Sequence, residues 1–148
     1  MEIYTIDLPF PMSTNRIWRF VGNPAMQDHQ RKYVRISPEY HKWKKAADAL
    51  YMTQKHRLSI VKLGKFNVSI VLSSDMRRSN QDGDNFIKCV MDWLQRVEII
   101  HNDCLCEWGQ WQWGEAPTGC RVRLFGDPHL DSRMSRSFSN LDSVGTLD

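Results

Sequence analysis

Several features that would place a protein in a membrane or outside the cell are missing from this sequence. None of its 148 residues belongs to an apolar run approaching the roughly 18 that a membrane-spanning helix needs. The N-terminal segment contains Glu2 and Asp7 and lacks the basic start of a secretory signal peptide. We therefore expect a cytoplasmic protein that makes no contact with a membrane.

Cysteine is also scarce, and the four that occur are poorly spaced for a metal framework. Cys104 and Cys106 form a C-x-C pair near His101, but no second cysteine pair or paired histidine motif accompanies them. Cysteines of a cytoplasmic protein are normally reduced. Packing is therefore the expected role of all four thiols (Cys89, Cys104, Cys106 and Cys120), with a zinc site at the C-x-C pair as the alternative.

Two further absences concern architecture, because the sequence has neither coiled-coil heptads nor the repeated parallel βαβ units of a doubly wound fold. Its hydrophobic content of 41% and charged content of 25% are those of an ordinary globular protein. Its length fits one domain, which we assign to residues 1–126. Residues 127–148, rich in serine and aspartate, are predicted to be a flexible tail.

Apolar periodicity predicts the elements of this domain. Strand-like alternation occurs at 2–8 and 66–72, and helix-like spacing at 38–56 and 85–97, where Ser37 and Pro38 mark the start of the first helix. Less regular strands are predicted at 98–100, 104–113 and 120–125, and a long loop at 15–36. The order β-α-β-α-β-β predicts an α+β fold, a small mixed sheet with two helices packed on it.

The formal charge of +3 is distributed unevenly along the chain. Residues 127–148 hold four aspartates and two arginines, a net of −2, so residues 1–126 carry +5. The excess of basic residues within 1–126 favours binding to a polyanion such as DNA, because each neutralised phosphate releases counterions. The alternative is that these residues form an ordinary solvated surface. The candidate phosphate contacts are Arg16, Arg19, Arg31, Lys32, Arg35, Arg77 and Arg78. Aromatic residues interleave with them and are candidates for stacking on bases or for core packing: Trp18, Phe20 and Tyr33.

The segment most informative about chemistry runs from Asp82 to Lys88. In extended backbone Asp82 and Asp84 point to the same side, and their carboxylates repel unless a cation lies between them. Mg²⁺ prefers such carboxylate oxygens. Lys88 follows Asp84 by one helical turn, so its ammonium is predicted to lie near the two carboxylates, and Asp92 continues the same face.

Each of these residues also has an ordinary structural interpretation. Asp82 or Asp84 could cap a helix, and Lys88 could be an ion-pair partner of Asp84 or Asp92 within the helix. Asp103 could be a residue of a hairpin turn. A functional interpretation therefore depends on the joint occurrence of these residues.

That joint pattern resembles the RusA family of Holliday-junction resolvases, which is common in phages and prophages. The match covers D-x-D-N-x-x-K-x-x-x-D from Asp82 to Asp92 and the Asn102-Asp103 pair just before a strand. The opening segment LPFPMSTNR, ending at Arg16, is similar to the family's L-P-x-P-P-S-x-N-R. It departs in Met12, and residues 79–81 separate the arginines at 77 and 78 from the first aspartate.

The resemblance implies a structure-selective endodeoxyribonuclease that resolves four-way DNA junctions by paired phosphodiester cleavage in recombination and repair. It implies that Asp82, Asp84 and Asp103 bind Mg²⁺, with Mn²⁺ as a substitute, and that Lys88 is the essential lysine beside them. It also implies a homodimer, in the cytoplasm of a bacterial host if the chain is phage-encoded.

Two alternatives stay open at this stage: a non-catalytic module that binds branched DNA, and a nuclease that acts on forks or flaps. The dimer interface is also open. A tryptophan-rich run could form it, although an edge strand of a monomer would look similar: Trp108, Trp111 and Trp113. Because Trp111 and Trp113 are two residues apart, they predict one buried strand face, under a helix or across a two-fold axis.

Overall fold

The alternating segments of the sequence form the strands of a small sheet. The structure is a computed structural model and describes residues 2–21 and 33–126, so the predicted tail lies outside the described residues. The strands are β1 (Glu2–Pro9), β2 (Trp18–Val21), β3 (Tyr33–Ile36), β4 (Phe66–Ser73), β5 (Cys106–Gly114) and β6 (Gly119–Phe125). The α-helices are α1 (Thr14–Ile17), α2 (Pro38–Gln54) and α3 (Ile87–Arg96).

The main sheet has four strands in the order β1-β6-β4-β5. β6 pairs antiparallel with both β1 and β4, whereas β4 and β5 run parallel and are joined through α3. The predicted α+β fold with a mixed sheet and two packed helices is therefore confirmed, and β5 is an edge strand. Among the described residues, no helix combines the length and apolar character needed to cross a membrane.

The core lies between one face of this sheet and the two long helices. Tyr4, Ile6 and Leu8 of β1 point into it, as period-2 alternation predicts. The opposite face carries polar side chains, among them Asp7 and Arg121, which form a two-contact ion pair at 2.8 and 3.3 Å. Alternation along the strands therefore decides which face the helices cover.

Helix α2 begins where the sequence predicts. The Ser37 hydroxyl accepts a hydrogen bond from the Tyr40 backbone N–H, and Pro38 occupies the first turn. Its buried face includes Tyr40, Trp43, Ala47 and Tyr51. Tyr51 meets Trp93 of α3 edge to face, with ring centroids 5.3 Å apart, so the two helices share one core.

The prediction of an unstructured loop at 15–36 is wrong for the part that the structure describes. Helix α1 is followed by a two-stranded ladder in which Trp18 pairs with Ile36 and Val21 with Tyr33. Four-residue strands are too short to show convincing alternation, which is why the pattern did not reveal them. The pairing partners become evident only in three dimensions.

The prediction of a strand at 98–100 is also wrong, because this segment ends helix α3. Glu98 adopts a left-handed conformation with φ of 63°. Its N–H bonds to the Gln95 carbonyl at 3.2 Å, and the Ile99 N–H bonds to the Leu94 carbonyl at 3.0 Å. These are the two hydrogen bonds of a Schellman motif, here with Glu98 in the place that glycine usually takes. Ile100 makes only an isolated bridge to Leu63.

The tryptophan-rich strand β5 is less covered than its alternation predicts. Trp108 is 51% exposed and Trp111 40% exposed, while Trp113 is half-buried. Within this chain, the predicted buried face is therefore confined to the end of the strand near Trp113. Burial across a two-fold axis stays a prediction.

Candidate functional site

Residues of the two distant sequence motifs are in contact at the start of α3. The Thr14 hydroxyl donates to the Asn85 carbonyl at 2.9 Å, across a separation of 71 residues. The Met12 N–H lies 3.4 Å from the Cys89 sulfur. The opening segment and the Asp82–Asp92 segment therefore form one structural unit rather than two separate surface features.

The two carboxylates of Asp82 and Asp84, here called the acid pair, flank a tight turn. Gly83–Phe86 forms a 3₁₀ turn that leads into α3, and Asp82 occupies its N-cap position. The Asp82 side chain makes no cap hydrogen bond. Both residues are exposed, and neither carboxylate has a hydrogen bond or ion pair among the described residues. The helix-cap interpretation therefore accounts for the backbone position of Asp82 and not for its carboxylate.

Gly83 allows the backbone between Asp82 and Asp84 to lie directly against the indole of Trp111. A Cβ atom at this position would overlap three ring carbons, Cζ3, Cε3 and Cη2 of Trp111. Gly83 is buried although Asp82 and Asp84 on either side are exposed. Gly83 is therefore required for the backbone of the turn to lie close to β5, and the Trp111 ring limits how closely the turn can approach this strand.

Lys88 joins two carboxylates from different parts of the chain. Its Nζ lies 2.7 Å from Asp92 Oδ1 and 3.4 Å from Asp103 Oδ2, and these three residues are here called the lysine group. The hydrogen bond to Asp92 is the largest cause that raises the pKa of Lys88, with Asp103 contributing in the same direction. The side chain is therefore an ammonium at neutral pH. The interpretation of Lys88 as an i,i+4 partner of Asp92 is confirmed, alongside the additional contact with Asp103.

Gln95, which the sequence did not single out, and Asn102 of the matched Asn102-Asp103 pair hold the backbone around Asp103 in place. The Gln95 side-chain oxygen accepts from the Asp103 N–H at 3.2 Å, and the Asn102 side chain accepts from the Cys104 N–H at 3.0 Å. Asp103 begins a 3₁₀ turn, Asp103–Leu105, that precedes β5. Its side chain is 36% exposed and faces Lys88. Gln95 gave no signal in sequence, because its role depends on the turn that follows α3.

The three aspartates have the chemistry needed to bind a divalent cation, but they are not arranged as a complete metal site. Three aspartates supply the oxygen donors that Mg²⁺ prefers. However, no three His, Cys, Asp or Glu side chains within 2–21 and 33–126 are grouped so that they could hold a metal ion. A site that used all of Asp82, Asp84 and Asp103 would therefore require at least one of these side chains to move.

Four of the predicted phosphate contacts are exposed, as DNA binding would require: Arg16, Arg35, Arg77 and Arg78. Arg16 ends the opening segment, and Arg35 lies in β3. Arg77 lies over the ring of Trp113, with its guanidinium carbon 5.0 Å from the centroid. Arg19 lies in β2 opposite Arg35, and two of the predicted contacts fall outside the described residues: Arg31 and Lys32.

The residues between Arg78 and the acid pair form a tight turn. The Gln81 N–H bonds to the Arg78 carbonyl at 3.3 Å, and the Gln81 side chain accepts from the Arg78 N–H at 2.9 Å. Asn80 takes a positive φ of 71°, which asparagine tolerates better than most residues. Residues 79–81 therefore form a compact turn, and Arg77 and Arg78 lie close to the opening segment.

The aromatic and cysteine predictions have different outcomes. Trp18 is 54% exposed, which leaves its ring free for stacking and rules out core packing within the described chain. Phe20 and Tyr33 lie in the β2–β3 ladder. Cys89 and Cys120 are buried, and burial raises the pKa of Cys89 to about 12, as expected of packing thiols. Cys104 is exposed and belongs to no metal-ligand group among the described residues.

No protein-family model and no curated protein sequence matches the chain. The site therefore has to be interpreted from its own geometry.

Proposed function

We propose that this protein is a structure-selective endodeoxyribonuclease that cleaves four-way DNA junctions with the help of Mg²⁺, as a member of the RusA family. Its biological setting would be DNA recombination and repair. The acid pair and Asp103 would supply the metal ligands, and Lys88 would act beside them.

A single observation carries this proposal: three motif segments that are far apart in sequence meet around the first turn of α3. Thr14 bonds to Asn85, and Lys88 bonds to Asp103 fifteen residues further along. Independent turns and caps would give no reason for these particular residues to be neighbours. A shared site for a phosphodiester and a cation gives one.

The acid pair is the natural first anchor for the cation. Its carboxylates are exposed and have no hydrogen-bond or ionic partner among the described residues, so both are available to bind a divalent ion. When bound there, Mg²⁺ would polarise the scissile phosphate and lower the pKa of a bound water. Asp103 would complete the ligand set by exchanging its contact with Lys88 for one with the ion.

Lys88, which Asp92 and Asp103 hold in place, would supply a positive charge to the same site. Asp92 holds its Nζ at 2.7 Å, so the ammonium stays placed even when Asp103 turns away. An ammonium near the transferring phosphate stabilises the extra negative charge of the transition state. Comparable oxyanion contacts contribute roughly 3–4 kcal/mol.

The test is a nicking assay with the full chain on a synthetic four-way junction, a fork, a flap and linear duplex of the same sequence. We expect paired nicks in the junction, dependent on Mg²⁺ or Mn²⁺ and abolished by EDTA. Junction binding without cleavage under all metal conditions would instead identify a non-catalytic binding module. Faster cleavage of forks or flaps would reassign the substrate.

DNA binding itself should be strongly salt-dependent. If about six of the seven candidate basic residues contact phosphates, the logarithm of the binding constant should fall with log salt at a slope of about −5. Fluorescence anisotropy of a labelled junction in EDTA, from 50 to 300 mM salt, measures this slope. A slope near zero would show that the basic residues are only a solvated surface.

The exposed edge strand β5 supports the homodimer that paired cleavage needs. Its outer edge pairs with no strand among the described residues, and Trp108 and Trp111 leave apolar surface beside it. Sedimentation velocity of the chain and of Trp108→Ser tests this assignment. Equal dimerisation of the parent chain and the variant would show that Trp108 is not part of the interface.

A further inference from the structure

A cavity of about 420 Å³ lies between the opening segment and the segment that leads to the acid pair. Its volume lies within the range of roughly 300–1,000 Å³ that is usual for small-molecule sites. The opening segment forms one wall, and the connection after β4 forms the other. The lining residues used below are Phe10, Met12, Arg16, Asp75, Arg77, Arg78, Gln81 and Phe86.

One part of the lining is apolar and aromatic. The rings of Phe10 and Phe86 meet edge to face with centroids 5.0 Å apart, and Phe10 stacks on Trp113 at 6.2 Å. Met12 lies next to them on the opening segment. Because these rings pack on one another and on the core, they form a firm surface against which a flat ring could lie.

The rest of the lining is positively charged. Arg16, Arg77 and Arg78 contribute three guanidinium groups against the single carboxylate of Asp75, a net of +2. Arg77 is already oriented by its contact with the Trp113 ring. An occupant with one flat apolar ring and one or two negative charges therefore matches both parts of the cavity.

The position of the cavity relates it to the acid pair. Gln81, in its wall, directly precedes Asp82. Phe86 ends the same 3₁₀ turn that contains Asp84. The cavity therefore shares two chain segments with the acid pair, the connection that ends at Asp82 and the turn that contains Asp84.

We propose that this cavity binds one unstacked nucleotide of a DNA strand, with the base against Phe10, Met12 and Phe86 and the phosphate at the arginines. Branched DNA offers such nucleotides, because pairing and stacking are weakest where the strands exchange. The inference rests on the proposed function in one respect only, that DNA is the substrate class.

The experiment is calorimetric titration of the full chain with thymidine 5′-monophosphate in EDTA, so that neither metal binding nor cleavage contributes. We expect saturable binding with Kd on the order of 1 mM, and at least about fivefold weaker binding of thymidine or inorganic phosphate alone. Met12→Trp, which fills the cavity, should weaken binding about tenfold. Met52→Trp, at a 64% exposed position on α2, should leave it unchanged.

A second pair of variants covers the case in which Met12→Trp does not fold. Arg16→Ala with Arg78→Ala removes two exposed charges from the cavity, and Lys42→Ala with Lys45→Ala removes two exposed charges from α2. Only the first pair should weaken binding of the monophosphate, again about tenfold.

Three results would overturn the inference: no binding of the monophosphate, equal binding by cavity and control variants, or phosphate binding as tightly as the nucleotide. Each is distinguishable from failure of the nuclease proposal. A chain that binds the nucleotide in the cavity but never nicks DNA keeps this site and loses the nuclease activity. A chain that nicks junctions but does not bind the nucleotide keeps the nuclease activity and loses this site.

Discussion

The acid pair and the lysine group differ in what their carboxylates contact. Asp82 and Asp84 are exposed and have no ionic partner among the described residues, whereas Asp92 and Asp103 share the ammonium of Lys88. Carboxylates that already have an ionic partner gain less from a cation than carboxylates that have none. We infer that the acid pair is the part of the site that a metal would change most, and that the lysine group serves mainly to hold a charge in place.

The largest expected effect comes from the acid pair. Asp84→Asn should lower the rate of junction cleavage by about a thousandfold, because it removes a metal ligand, while changing junction affinity less than about twofold. Its melting temperature should be unchanged, since the Asp84 side chain is exposed and has no hydrogen bond or ion pair among the described residues. Single-turnover cleavage and anisotropy measure the two quantities, and normal cleavage by this variant would remove Asp84 from the mechanism.

A smaller effect is expected at the centre of the lysine group. Lys88→Met should slow single-turnover cleavage about a hundredfold, because the transition state loses one fixed positive charge. Lys62→Met is the matched control, since Lys62 also forms a surface ion pair, with Glu98 at 3.6 Å. If both variants cleave at the same rate, Lys88 has only a structural role.

Gly83→Ala tests the support beneath the acid pair. The added methyl overlaps the Trp111 ring, and overpacking of this kind typically costs about 1–3 kcal/mol of unfolding free energy. The double variant with Trp111→Ala should be much less destabilised than the two single effects combined, because the overlap is gone. Urea unfolding of all four proteins completes the cycle, and strict additivity would show that the ring does not set the turn.

The smallest effect is expected for Asp92→Asn. An exposed i,i+4 ion pair usually contributes no more than about 0.5 kcal/mol, so stability at pH 7 should change little. Because Asp92 raises the pKa of Lys88, the stabilisation from this pair is present at neutral pH and is lost as pH rises through the lysine titration. The variant should therefore converge with the parent in unfolding experiments at high pH, and a constant difference would contradict this cause.

The parts of the fold with strong local signals were predictable. Alternation revealed the buried side of β1 and β4, and Ser37 with Pro38 fixed the start of α2 to the residue. The start of α3 was predicted two residues early, because Asn85 and Phe86 belong to the 3₁₀ turn that precedes it. These successes share a cause, since each depends on interactions within a few residues of chain.

The failures depend on contacts that sequence patterns do not contain. Glu98 ends α3 in a left-handed conformation that favours glycine, so the end of the helix carried no recognisable residue. The exposure of Trp111 follows from the edge position of β5, which only the strand order determines. In the candidate site, the i,i+4 spacing predicted the contact of Lys88 with Asp92, but the support from Gln95 and Trp111 was not predictable.

The pairing of β1 with β6 has a consequence for how the chain folds as it is synthesised. Thr118 and Leu8, which bond across this end of the sheet, are 110 residues apart. The first strand leaves the ribosome long before its partner exists, so Tyr4, Ile6 and Leu8 have no sheet neighbour during most of translation. Closing so long a loop is entropically costly and slow. Incompletely synthesised chains should therefore expose the apolar side chains of β1, aggregate readily, and be bound by chaperones or degraded by proteases.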